Sequence, residues 1–236
     1  MIVSAQNAVR DITREALHRG ATGVEKIEPK KHVVVKPWVR LKCRFGCNMY
    51  ESSWVCPPHT LSFEEAVDFF RDYEIGLLFK FTPPAPHTNR IDYVKYKNWT
   101  KVLVAGLERR CRDRNLDRAF ALHSGPCTLC WSVKPNGLIK YRLCTLHNEK
   151  ELKSSGAVNP ENPSPESPSP GFSKKKNAGI GRREALRSCR FPGSARPAME
   201  ALCVDVFRTV ENCGWSASVC TSRHQIPTYY SMLLIE

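Results

Sequence analysis

Seven of the 11 cysteines in this chain fall into two groups set among glycine and proline. The first runs Cys43-x3-Cys47-x8-Cys56-Pro-Pro. Gly46 lets the backbone turn between the first two thiols, and Pro57 and Pro58 stiffen the exit. The second holds Cys127 and Cys130 after Gly125-Pro126, with Cys189 and the further candidate Cys144 downstream. Thiolates packed this closely hold soft metals or iron–sulfur clusters. Three loop cysteines plus one from elsewhere, with a proline straight after a ligand, suit a cluster of the 4Fe-4S type, whose negative charge Lys42 and Arg44 would offset. Zinc would accept the same thiolates, with His59 as a fourth ligand. A thioredoxin-type CxxC opens a helix directly, and here Pro135 and Gly137 follow too soon.

The elements that must position these groups can be read from periodicity. Residues 4–19 repeat apolar side chains at helical spacing up to Gly20. His32–Lys36 and Trp38–Leu41 read as extended chain, with Pro37 marking an edge or bend, and lead into a cysteine loop over 42–60. Ser62-Phe-Glu-Glu65 is a capping box that opens a helix to about Tyr73. Glu74–Phe81 reads as a buried strand closed by Pro83, Pro84 and Pro86. A helix follows over Ile91–Arg114, and the strand Ala119–Leu122 delivers the second cysteine loop. Pro197–Cys213 reads as one helix and Tyr229–Ile235 as the last strand. On one helix start, Arg196 and Glu200 would form an i,i+4 ion pair, and Asp205 would orient Arg196 or be exposed.

Composition narrows the setting. With 42% hydrophobic residues, 236 residues can bury a core without disulfides, so the cysteines are not needed as staples. No secretory pattern and no membrane-length apolar run is visible, which points to a reducing, cytoplasmic compartment. The net charge of +13 invites a nucleic-acid reading, but nearly half of that excess lies between residues 131 and 188. Much of that stretch is Pro, Ser, Asn and Lys, too poor in apolar side chains to order itself, so 131–187 is expected to be a disordered insertion. The chain is then one domain over 1–236, since Cys189 after the break needs partners before it. No Ser/His/Asp arrangement, phosphate loop or paired carboxylates is present, and no catalytic residue is assigned. Cys111, Cys203, Cys213 and Cys220 are expected to serve packing rather than ligation, and His123 to pack or cap the second loop.

The runs Cys43-Arg-Phe-Gly-Cys47, Cys56-Pro-Pro, Ser124-Gly-Pro-Cys-Thr-Leu-Cys130, Cys189-Arg-Phe-Pro and Ala195-Arg-Pro-Ala-Met-Glu-Ala201 resemble a bacterial and archaeal family of predicted metal-binding proteins, domain of unknown function 2284. The resemblance covers the chain except about 131–187. It implies metal binding through Cys43, Cys47, Cys56, Cys127, Cys130 and Cys189, as iron–sulfur clusters, with Arg196 and Glu200 facing the cluster or an anionic ligand. The second group departs from the family pattern: Val133 stands at its third cysteine position, which leaves Cys144 as a substitute or the site incomplete. The expectation is a single α+β domain, with a small mixed sheet packed by three or four helices and two cysteine-rich loops at one end. Its function would be electron transfer or an accessory redox role with a partner protein. The alternative is a structural zinc protein that engages a protein or nucleic acid.

Overall fold

The computed structural model describes residues 2–133, 139–140, 144, 189–222 and 224–236. Its centre is a four-stranded sheet of β1 (Gly23–Ile27), β2 (Gly76–Phe81), β3 (Phe120–Leu122) and β6 (Tyr229–Leu234), in the order β1-β2-β6-β3. Every pairing is antiparallel, so the sheet is not mixed. Period-two alternation splits the central strands between two cores. Leu77, Phe79, Phe81 and Leu233 face α1 (Ile2–His18) and α5 (Arg90–Arg112). Leu78, Tyr230, Met232 and Leu234 face α4 (Phe63–Arg71) and the segment Ala198–Val204. Covered on both faces, β2 reads as the nearly unbroken apolar run that marks it in the sequence. The α+β single-domain architecture is therefore a three-layer sandwich.

Ser62 caps α4 as its sequence predicts: its Oγ accepts from the Glu65 amide at 3.1 Å while the Glu65 carboxylate accepts from the Ser62 amide at 2.8 Å. Ser62→Ala is expected to cost about 1 kcal/mol, read as a lower denaturant midpoint at unchanged slope. No described helix is long and apolar enough to cross a membrane.

Three expectations are corrected. Residues 38–41 are not extended and 42–46 are not loop: they belong to α3 (Pro37–Gly46), whose Pro37 sits in the first turn, where its missing N–H costs nothing. Cys43 thus lies in the last turn of a helix and Cys47 caps it. Upstream, residues 29–32 make the short helix α2 (Pro29–His32), and only Val35 pairs in extended form, with Val204. Pro197–Cys213 is not one helix. A 3-10 turn, Glu200–Leu202, ends at Cys203 with φ 60°, and α6 (Val206–Asn212) starts only after Asp205 caps it. Long-range backbone pairing prevails over helical propensity here: Lys36 donates to Cys203 O at 2.8 Å and Asp205 donates to Val34 O at 2.7 Å. Asp205 accordingly neither orients Arg196 nor stays free; its carboxylate accepts from the Arg208 amide. At the start of the expected insertion, β4 (Ser132–Val133) pairs with β5 (Ile139–Lys140), and Cys144 is described; the rest of 134–187 lies outside the described residues.

Candidate metal centre

Helix α5 organises the site. Asn89 caps its start, accepting from the amides of Ile91 and Asp92, and its stripe Lys97, Lys101 and Glu108 is buried although charged. Lys101 Nζ donates to Thr128 Oγ1 at 3.0 Å; Thr128 Oγ1 donates to Asn98 Oδ1 at 2.6 Å, and Asn98 Nδ2 donates to Thr128 O at 3.1 Å. One helix face therefore clamps the residue between Cys127 and Cys130. Lys97 Nζ donates to Ser124 Oγ at 2.7 Å and lies 4.4 Å from the Tyr229 ring centroid. Gly125, at φ +65°, lets the loop pass with Lys97 Nζ only 3.4 Å from where a Cβ would stand.

The first group is set by α3. Arg40 donates to Thr60 Oγ1 at 3.1 Å and to Leu61 O, and Thr60 Oγ1 donates to Ala201 O at 2.8 Å, so the loop closes back on its own helix and on the 3-10 turn. Cys43, Cys47 and Cys56 all line one cavity of about 620 Å³, with Ser124, Gly125 and Glu200 on its wall. The Cys43 thiol donates weakly to Glu200 O at 3.8 Å. The second loop sits against the first: the Cys127 backbone hydrogen-bonds the Cys56 sulfur. Lys101 feels both Cys56 and Cys127, so a buried ammonium stands between the groups.

These thiols are hard to ionise without a metal. Burial, then Glu200, Cys47 and Cys56, push Cys43 up to about 11, with Arg40 opposing. Burial also raises Cys56 and Cys127. Lys101 falls to about 8, first through burial, while the two cysteines hold it up. Burial lowers Lys97 and raises Glu200, and the attraction between the two opposes both shifts. Around the site, Glu200 Oε2 is sealed from solvent without a hydrogen-bond partner among the described residues, and Ser53, in the loop that carries Cys56, hydrogen-bonds the Cys56 sulfur.

The sequence candidates divide. The first three cysteines share one cavity, and Cys127 is an electrostatic neighbour of Cys130 and Cys189. Arg196 and Glu200 do not pair. Arg196 instead grips buried Glu108, Nε to Oε2 and Nη2 to Oε1, both at 2.7 Å. Glu200 does line the cavity. His59 stacks edge-on against Trp54 and lines a separate pocket with it, away from the three thiols. Cys111 and Cys203 are core residues and Cys213 packs at the core edge, but Cys220 is exposed and lines the cavity rim, contrary to a packing role. All 11 cysteines are free. Among the described residues no three Cys, His, Asp or Glu side chains form a site for a single ion.

Lys101, Lys97 and Glu108 escape sequence reasoning because a charged stripe on a helix reads as a solvated face. The signal available was their spacing on the apolar side of α5, level with buried Leu103, Val104 and Leu107. The sequence profile of a family described as a predicted metal-binding protein, DUF2284, matches residues 26–235. No curated protein and no solved structure is significantly similar to the chain.

Proposed function

We propose, for a chain that belongs to this predicted metal-binding family, that its cysteine groups hold iron–sulfur clusters, of the 4Fe-4S type, and serve electron transfer or an accessory redox role in the cytoplasm. The observation that carries the reading is the shared cavity of Cys43, Cys47 and Cys56, with the second cysteine loop on its wall and in contact through Cys56 and Cys127. The residues present fit such a group. A thiolate-held cluster is anionic, and the buried ammonium groups of Lys97 and Lys101 supply the compensating charge. The Ser53 side chain is buried and hydrogen-bonds the Cys56 sulfur, and such a donor suits a thiolate that holds a cluster. A cluster takes each thiolate on a different iron, so its ligands need not converge on one point as those of a zinc ion do.

When bound, the cluster supplies a one-electron couple. The chain's own residues do the rest: α5 fixes the Cys127–Cys130 loop through Thr128, and Arg40 fixes the exit of the first loop. Trp38, Leu41 and Phe45 on α3 are exposed beside Cys43, with Lys42 and Arg44 over the Trp38 and Phe45 rings. That face suits transient docking of a redox protein that gives or takes the electron.

Anaerobic purification with iron, sulfide and zinc analysis tests the proposal. The expected protein is brown, contains iron and sulfide in equal amounts, and loses the colour of the first centre in Cys43→Ser, Cys47→Ser or Cys56→Ser. A colourless protein with stoichiometric zinc would replace this reading with a structural zinc site.

A further inference from the structure

We infer that the cavity beside the first cysteine group binds a small, planar aromatic molecule through a lactam edge, an N–H next to a C=O, which Glu200 and Ser124 read. The inference goes beyond the iron–sulfur reading and stands without it.

The cavity has the size and lining of a small-molecule site. Its volume is about 620 Å³, and Cys43, Cys47 and Cys56 make only part of its wall. Three separate segments build its rim, and each exposes a large apolar side chain there: Trp38 on α3, Phe207 on α6 and Val219 between α6 and β6, at 41, 42 and 65% exposure. Such residues scattered singly need no explanation, but these three converge on one opening. Tyr50, Met199 and Tyr229 continue the lining. Aromatic and thioether walls favour a flat, polarizable ligand body.

The polar groups are few and lie together. His123 bridges to Ala198 in parallel, and the Met199 amide donates to His123 O at 3.0 Å, so the strands of chain that lead to Ser124 and to Glu200 run side by side. Both residues line the cavity. Ser124 Oγ accepts from Lys97 Nζ at 2.7 Å. An ammonium has donors only, so the Ser124 O–H is left to donate to a ligand. Glu200 Oε2 has no partner among the described residues, and a buried oxygen in that state is costly. The last torsion of a glutamate is broad, so a small turn brings that oxygen to the cavity.

A donor beside an acceptor is the complement of a lactam: the carbonyl meets Ser124 and the N–H meets Glu200. The match holds in either protonation state of Glu200. A carboxylate accepts the N–H; a neutral carboxyl accepts it with one oxygen while its O–H meets the carbonyl. Charged ligands fit less well. An anion would be repelled by an ionised Glu200, and a cation by Lys97 behind Ser124.

The test is anaerobic equilibrium dialysis of the full chain, before and after reconstitution with iron and sulfide, against three probes. Carbostyril is a bicyclic aromatic lactam, N-methylcarbostyril lacks its N–H, and naphthalene lacks the whole edge. Carbostyril is expected to bind both forms of the chain, and the other two about tenfold more weakly. Glu200→Leu should abolish the preference for carbostyril over its methyl derivative, and Ser124→Ala should weaken both lactams. Val219→Asp, at an exposed rim position, should weaken all three probes, whereas Val102→Asp, exposed on α5 outside the cavity, should change none. The wild-type probe series decides even where a variant at a buried position does not fold. Equal affinities for the three probes, or no binding of carbostyril, would overturn the inference. So would binding that the metal-free chain shows and the reconstituted chain loses, because the cavity would then belong to the cluster alone. A chain that takes up no iron yet prefers carbostyril would support the inference and overturn the iron–sulfur reading.

Discussion

Glu108→Ala is expected to lower the unfolding free energy by about 3–5 kcal/mol, among the largest effects of any single substitution outside the hydrophobic core. Glu108 is 1% exposed and accepts four hydrogen bonds at distances of 2.7–2.9 Å: two from Arg196, one from Arg112 and one from the Ala121 amide. Removing the carboxylate strands the Arg196 guanidinium, only 11% exposed, and orphans the Ala121 N–H inside β3. Glu108→Gln keeps an acceptor for Ala121 but offers Arg196 one oxygen in place of two, so its cost should fall between those of wild type and alanine. Arg112 is 40% exposed, and Arg112→Ala should cost no more than a surface pair. Urea titration of the four proteins at neutral pH gives the order. Arg196 also donates to Pro192 O at 3.1 Å and Ala195 O at 2.8 Å, which shapes the chain just after Cys189. Glu108→Ala should therefore loosen Cys189 as well. Equal midpoints for Glu108→Ala and Arg112→Ala would show that the Arg196 fork contributes nothing.

Which parts of this architecture can be read from the sequence follows from how local their causes are. The Ser62–Glu65 capping box and the apolar run of β2 involve residues that are neighbours in sequence, and both stand where periodicity puts them. The cysteine spacing belongs to the same class: Cys43, Cys47 and Cys56 share a cavity because one short stretch of chain, the end of α3 and the loop after it, carries them all. The elements that the sequence leaves unassigned or that were misread have distant causes. Strand β1, Gly-Val-Glu-Lys-Ile, is an edge strand with two charged residues and becomes a strand only by pairing with β2. The break at Cys203 exists because residues 34–36 supply backbone partners from far upstream. Arg196 and Glu200 make the same point in electrostatics. Their spacing invites a pair worth a few tenths of a kcal/mol, but Glu108 offers Arg196 a bidentate, water-excluded partner from α5. Glu200 is then left facing Lys97 across the cavity wall.

The second large effect is on acid stability, and it centres on His123. The ring is fully buried; Nε2 hydrogen-bonds Ser194 O at 2.9 Å, and Nδ1 has no partner among the described residues. Burial pushes its pKa down from 6.5 to about 3; the Lys101, Arg196 and Lys97 charges lower it further, and the Ser194 carbonyl opposes them. The folded chain therefore keeps this histidine neutral while the unfolded chain protonates it. Between pH 6.5 and about 3 the unfolded state binds the extra proton, so stability is fully present above pH 6.5 and declines as the pH falls. The slope is about 1.4 kcal/mol per pH unit and the full window about 5 kcal/mol at most. Glu200 works in the opposite sense: burial raises its carboxyl, so the folded state takes up that proton first and gains stability as the pH drops through the same region. The two are separated by difference. His123→Gln keeps a donor for Ser194 O and cannot become a cation. Unfolding free energies of wild type and variant, measured from pH 7.5 to 4, should converge or cross as the pH falls, because only wild type carries the histidine's proton penalty. Two parallel curves would mean that His123 titrates in the folded chain as it does in water, and that the segment after Cys189 is not sealed against the second cysteine loop.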